Sequence, residues 1–311
     1  MVKDVDDRRL KALGNLNNLY FDFDFTMSAL RQVNIFFEMA RASRSAHIML
    51  VFGESGSGKS TLLKRFRDVF HTKANRVDHR ESVLLVQVPS ECSPKSLASG
   101  ILSQLGDPYA DKGVLTNMTR RVTGYIRDLG VPLVVLDECQ HLIDKENRKI
   151  ALAATEWLKS VVSDCDCAFI LAGMPSTLQV IRENEQLARR VTTWLEMMPF
   201  PLKTKDDVAR FRTILALFSE ELPFENSGVI AGERAAKILH YVCGGLIGRL
   251  VGFLQLVGVS AVLDDSEVLK AEHFSRAFSQ FCRGHKDMDG MANPFGSAAQ
   301  DLFGALPTAS S

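Results

Sequence analysis

Eight consecutive residues carry the clearest chemistry in this chain. Gly53, Glu54, Ser55, Gly56, Ser57, Gly58, Lys59 and Ser60 satisfy the pattern G-x-x-x-x-G-K-[ST] at every fixed position. Glycines at that spacing allow a backbone tight enough to turn several N–H groups toward one point, and a helix that follows adds the positive end of its dipole, so the segment suits a multiply charged phosphate. Lys59 would contact the β- and γ-phosphates, the Ser60 hydroxyl would ligate magnesium, and Thr61 completes the set. A second group ends the apolar run Val134-Val135-Leu136-Asp137-Glu138. Such a strand presents one carboxylate to the metal, here Asp137, and the next acid to the attacking water, here Glu138. Taken alone, the run is more commonly a buried strand with two capping acids; its place after the glycine loop and one further strand favours the chemical reading. The expected cofactors are ATP and Mg2+.

The elements that must position these groups follow in order. His47 to Phe52 is an apolar strand running into the glycine loop, and Leu62, Leu63, Phe66, Val69 and Phe70 then repeat at helical spacing. Further strands are expected at Val83 to Val88, Leu133 to Asp137, Ala168 to Ala172 and Thr193 to Met197, with helical stretches between them. This alternation predicts an α/β fold, a three-layer parallel sheet with helices on both faces. After Pro199-Phe200-Pro201 the strand signals stop, and helices are expected near Asp206 to Phe218, Gly232 to Val242, Gly248 to Val262 and Ala271 to Phe281. The reading is an N-terminal helical arm over 1–45, a P-loop core over 46–201, a helical lid over 202–283 and a flexible tail over 284–311. Within the tail, Phe295 and Leu302-Phe303 are apolar islands that either dock back on the lid or anchor a partner.

Composition narrows the function classes. Lysines and arginines number 37, as do acids, so nucleic-acid binding would need a local basic patch. The longest apolar runs are strand-sized, so no membrane partner is expected, and the charged start MVKDVDDRRLKALGN does not suit a secretory signal, which points to the cytoplasm. Six cysteines without a second zinc-type pair are expected to be reduced and mostly buried.

The chain resembles the AAA+ ATPases and, within them, the TniB/TnsC transposition regulators related to Mu B. The residues that carry the likeness are HIMLVFGESGSGKSTLLKRF, ILSQLGDP, LVVLDECQHL, FILAGMPS, ENEQLARRV and GGLIGRL, which together span about residues 30 to 282. The resemblance implies an arginine reaching into a neighbouring subunit's ATP, for which Arg189 and Arg190 are placed, and a lid-domain arginine, for which Arg249 is placed after Gly244-Gly245-Leu246-Ile247-Gly248. It also implies a polar side chain after the fourth strand, where this chain offers Gly173-Met174. Slow, regulatory ATP hydrolysis is therefore expected.

For family members, DNA lies against basic and hydroxyl side chains from the segment between the second strand and Asp137, and from the start of the next helix. The matching positions are Lys95, Thr116, Arg120, Arg121, Lys145, Arg148 and Lys149, all able to meet phosphates without reading bases. The resemblance thus implies a regulator of DNA transposition that self-associates into a ring or helical filament on duplex DNA. Its other implied partners are a DDE transposase and a TniQ-like target-selection protein. Two alternatives stay open: another AAA+ ATPase of ExeA-like or initiator/loader-like type, and a nucleotide-gated adaptor that does not hydrolyse.

Overall fold

The computed structural model describes residues 7–20, 23–43, 47–74, 82–142 and 148–295. They fall into two compact units, one within residues 22–198 and the other built from 1–21 together with 199–311.

The first unit is the sheet. Its strands are β1 (Ile48–Phe52), β2 (Val83–Gln87), β3 (Leu133–Asp137), β4 (Ala168–Gly173) and β5 (Val191–Glu196), in the spatial order β2-β3-β4-β1-β5. Every pairing is parallel. The runs IMLVF, LVVLD and AFILAG lack polar alternation because their strands are covered on both faces. Side chains still alternate within them. Met49, Val51, Val135, Ile170 and Ala172 face α2 (Asp24–Ser43) and α3 (Lys59–Ala74), against Val33, Phe37, Leu63 and Phe66. Ile48, Leu50, Val134, Leu136, Phe169 and Leu171 face the opposite layer. That layer comprises α4 (Pro94–Gln104), α5 (Leu115–Asp128) and α6 (Arg148–Asp164), with the short α7 (Thr177–Arg182) and α8 (Glu185–Ala188) beside them. β5 begins two residues before its expected start. As an edge strand it leaves Trp194 47% exposed, so its sequence carries no continuous apolar run.

The second unit is helical: α9 (Lys205–Glu221), α10 (Glu233–Cys243), α11 (Ile247–Leu263) and α12 (Ala271–Arg283). A capping box fixes the start of α9, with Thr204 accepting from the Asp207 N–H. The arm expected over 1–45 is divided between the units. Its second half is α2 on the sheet, whereas α1 (Asp7–Asn15) lies on α11, with Gln255 Nε2 donating to the Leu13 carbonyl at 2.9 Å. Residues 284–295, expected to begin a flexible tail, instead complete the helical core. Phe295 is buried against Phe253, Phe274 and Phe278 at centroid distances of 5.7, 5.4 and 6.2 Å. For Phe295, docking on the lid is therefore the arrangement found; Leu302 and Phe303 lie outside the described residues.

Among the described residues no single helix is long and apolar enough to cross a membrane. All six cysteines are free thiols, and five are buried.

Candidate nucleotide site

β1 ends at Phe52, and the glycine loop leads directly into Lys59, the first residue of α3. Gly53 passes so close to the chain after β5 that a Cβ there would stand 2.4 Å from the Met197 carbonyl oxygen. Gly58 has φ +93°, a conformation that L side chains rarely adopt. The loop therefore needs these two glycines for different reasons, one for close approach and one for backbone direction. Lys59 turns back over the loop: its Nζ donates to the Gly53 carbonyl at 2.8 Å, the Glu54 carbonyl at 2.9 Å and Ser57 Oγ at 3.4 Å. Burial pulls its pKa below the ordinary lysine value, and the nearby charges of Asp137, Glu138 and Glu54 oppose that shift.

The second residue of α3 meets the end of β3. Ser60 Oγ donates to Asp137 Oδ2 at 2.5 Å, although β3 and β1 are separated in the sheet by β4. A hydroxyl and a carboxylate facing one another form an all-oxygen donor pair of the kind Mg2+ prefers. Asp137 Oδ1 accepts from the Glu138 N–H at 2.9 Å, and Glu138 has φ +62°, in the left-handed region that non-glycine residues seldom occupy. Its carboxylate Oε2 accepts from Gln140 Nε2, while Gln140 Oε1 accepts from the Met174 N–H at 3.0 Å. Sequence reasoning left Gln140 without a role, since nothing in the local pattern signals a contact to the end of a different strand.

Arg189 and Arg190 follow α8 at the other end of the sheet. The Arg190 carbonyl accepts from the N–H of Ile48, the first residue of β1, so the pair lies about 13 Å along the strand from Phe52, where the loop begins. Arg189 pairs with the exposed Glu185 at 2.5 Å, and Arg190 Nη2 is 3.4 Å from Ser163 Oγ. Arg249, in the helical unit, binds Asp287 at 2.7 Å and holds that carboxyl below its ordinary value.

Of the basic and hydroxyl positions, Lys95, Thr116, Arg120 and Lys149 are exposed, each in the first half of its helix. Arg148 opens α6, but its side chain and all of Lys145 lie outside the described residues. Arg121 is engaged elsewhere. Its guanidinium holds the buried Asp107 carboxylate at 2.6 Å, the Tyr109 carbonyl at 3.0 Å and the Lys112 carbonyl at 2.5 Å, bracing the turn between α4 and α5.

The five-stranded order with β4 inserted between β1 and β3, the glycine loop and the acid pair define a P-loop ATPase of the AAA+ class. Solved structures share this fold at low identity. The Aeropyrum pernix ORC1 protein in complex with DNA aligns at TM-score 0.68 and 16% identity, over 89% of this chain and 70% of that one. The ORC2 protein of the same organism, in ADPNP-ADP complexes, aligns at 0.64 and 16%, over 89% and 72%. Cdc6p from Pyrobaculum aerophilum aligns at 0.60 and 12%, over 83% and 67%. No curated protein matches the sequence. The bacterial TniB protein family does match, over residues 17–197, and the chain belongs to that family.

Proposed function

We propose that this protein is an ATP-dependent regulator of DNA transposition that assembles on duplex DNA and engages a DDE transposase and a TniQ-like target-selection protein. The observation that carries the reading is the family match across residues 17–197, which spans the whole nucleotide site. In this reading Gly53 to Thr61 bind the ATP phosphates, Ser60 and Asp137 hold Mg2+, and Glu138 polarises the attacking water. Bound Mg2+ would neutralise charge developing on the phosphates. Arg189 and Arg190, remote from their own loop along β1, serve a neighbouring copy's nucleotide, which makes ATP an assembly switch and hydrolysis a timer for release.

Duplex DNA is the macromolecular ligand. Lys95, Thr116 and Lys149 stand on the first turns of α4, α5 and α6, where helix dipoles add to side-chain charge in attracting phosphates, and Arg120 follows one turn further along α5. Arg148 and Lys145 extend the same set in sequence. Contacts of this type position a duplex without reading it, so binding should be insensitive to sequence and steeply salt-dependent.

The test is Glu138→Gln, assayed for ATP binding, phosphate release and assembly on a DNA duplex. The variant should bind ATP, remain assembled and release almost no phosphate. Parental hydrolysis by Glu138→Gln would remove the assignment of the water-polarising acid. Absence of phosphate release from the parental protein, with and without DNA, would replace the reading with a non-hydrolysing adaptor.

A further inference from the structure

Gln140 lies two residues past Glu138, in the 3-10 turn Cys139–Leu142, and its side chain joins the ends of two strands. One end of the amide donates to the Glu138 carboxylate after β3; the other accepts from the Met174 N–H after β4. The space is fitted to that amide. A Cβ on Gly173 would stand 2.7 Å from Gln140 Oε1, 2.3 Å from Thr177 Oγ1 and 3.1 Å from the Cys139 nitrogen, so the crossing requires glycine at the end of β4. The Thr177 hydroxyl crowds the same point and is fully buried without a hydrogen-bond partner. A buried donor in that condition is costly.

Glu138 is thereby held at both ends. Its backbone is fixed in the left-handed region with its N–H on Asp137, and its carboxylate is fixed by Gln140. Met174 contributes only its main-chain N–H to this arrangement, and the residue is 36% exposed.

We infer that Gln140 is a positioning residue: it aims Glu138 at the attacking water and stands in for the polar side chain that Met174 does not supply at the end of β4. The inference rests on the reading of Glu138 given above. It explains how a methionine is tolerated after β4, since the polar link between the ends of β3 and β4 runs through a side chain from the turn after β3 and a backbone group just past β4. It also makes Gly173 part of the device, because any larger residue there displaces the amide.

The experiment uses the full chain carrying Gln140→Leu, which keeps the volume and removes the amide, and Gln140→Asn, which keeps the amide one methylene short. Three quantities are read: affinity for a fluorescent ATP analogue, kcat for phosphate release, and hydrogen exchange at the Met174 amide without nucleotide. Misplacing a catalytic group by about 1 Å costs up to about 100-fold, so Gln140→Leu should lower kcat by about 10- to 100-fold at unchanged nucleotide affinity. The Met174 amide should lose its protection, and Gln140→Asn should fall between parent and Gln140→Leu. A parental or raised kcat in Gln140→Leu overturns the inference, as does a matching loss of nucleotide affinity. Glu138→Gln separates the two levels. If it hydrolyses normally, the reading of Glu138 fails; if it is inactive while Gln140→Leu is not, only the role of Gln140 fails.

Discussion

Replacing Phe295 with alanine tests whether residues 284–295 belong to the helical core. The ring is 5% exposed and touches three aromatic neighbours, lying nearly parallel to Phe253 at 18° and edge-on to Phe278 at 64°. Losing the burial of one phenylalanine side chain costs about 1.5–3 kcal/mol, and the cavity and lost ring pairs bring the usual cost to about 3–5 kcal/mol. Phe295 sits on a non-helical segment that can shift to close part of the gap, so the lower end, about 3 kcal/mol, is expected. For a unit of this size that corresponds to a fall of about 9 °C in Tm. A melt followed by far-UV circular dichroism reads the loss, and hydrogen exchange of the α12 amides assigns it to the helical unit rather than to the sheet. An unchanged melting curve with unchanged exchange in α12 would show that the ring contributes nothing to this core, and the partner-anchor reading of the tail would then replace it.

Arg121→Ala should destabilise the sheet unit by about 3 kcal/mol, because the Asp107 carboxylate, whose side chain is 2% exposed, is left with the Tyr109 N–H at 2.8 Å as its remaining donor. Urea denaturation measures this, and an unchanged midpoint would show the strut to be dispensable. The helical unit should weaken as pH falls below about 7: buried His273 accepts the Lys270 N–H at Nδ1, and burial lowers its pKa below that of the unfolded chain. As pH falls through the ordinary histidine value the unfolded state takes the proton more readily than the folded one, despite the attraction of nearby Asp264, so a His273→Asn melt that kept the parental pH slope would refute the assignment. Finally, mixing Arg189→Ala/Arg190→Ala protein with Lys59→Ala protein should restore some phosphate release if these arginines act across subunits. Activity no greater than the sum of the separate proteins would place them in cis.

Much of the sheet was legible because β1, β3 and β4 are covered on both faces, so burial writes itself as uninterrupted apolar runs. β5 was read two residues late because an edge strand keeps Thr192, Trp194 and Glu196 toward solvent. The glycine loop and Asp137 were legible because local backbone geometry and strand position dictate residue type there. Gln140 was not, since its partners are set by the left-handed turn at Glu138 and by the register of β4. Arg121 looked like one more surface cation among those of α5; its acid lies fourteen residues earlier, on a turn that folds back only in three dimensions. Phe295 stood alone in a polar stretch, and periodicity cannot detect a residue that completes a core built by other helices.

The docking of α1 on α11 has a consequence for how the chain assembles. Leu13 fits so closely against Gly258 that a Cβ there would stand 2.3 Å from Leu13 Cδ2, and Arg9 reaches the Ser266 carbonyl at 3.2 Å and Glu267 at 3.0 Å. These partners are separated in sequence by the entire sheet unit. In an unfolded chain, closing a loop of that length rather than one of about ten residues costs roughly 2.5 kcal/mol more, whereas a folded sheet unit fixes where its two ends emerge and removes most of that difference. Docking of α1 is therefore expected to depend on the folding of the sheet unit. Damage to the ATPase core between the two segments of the helical unit should then register as lost protection in α1, far away along the chain.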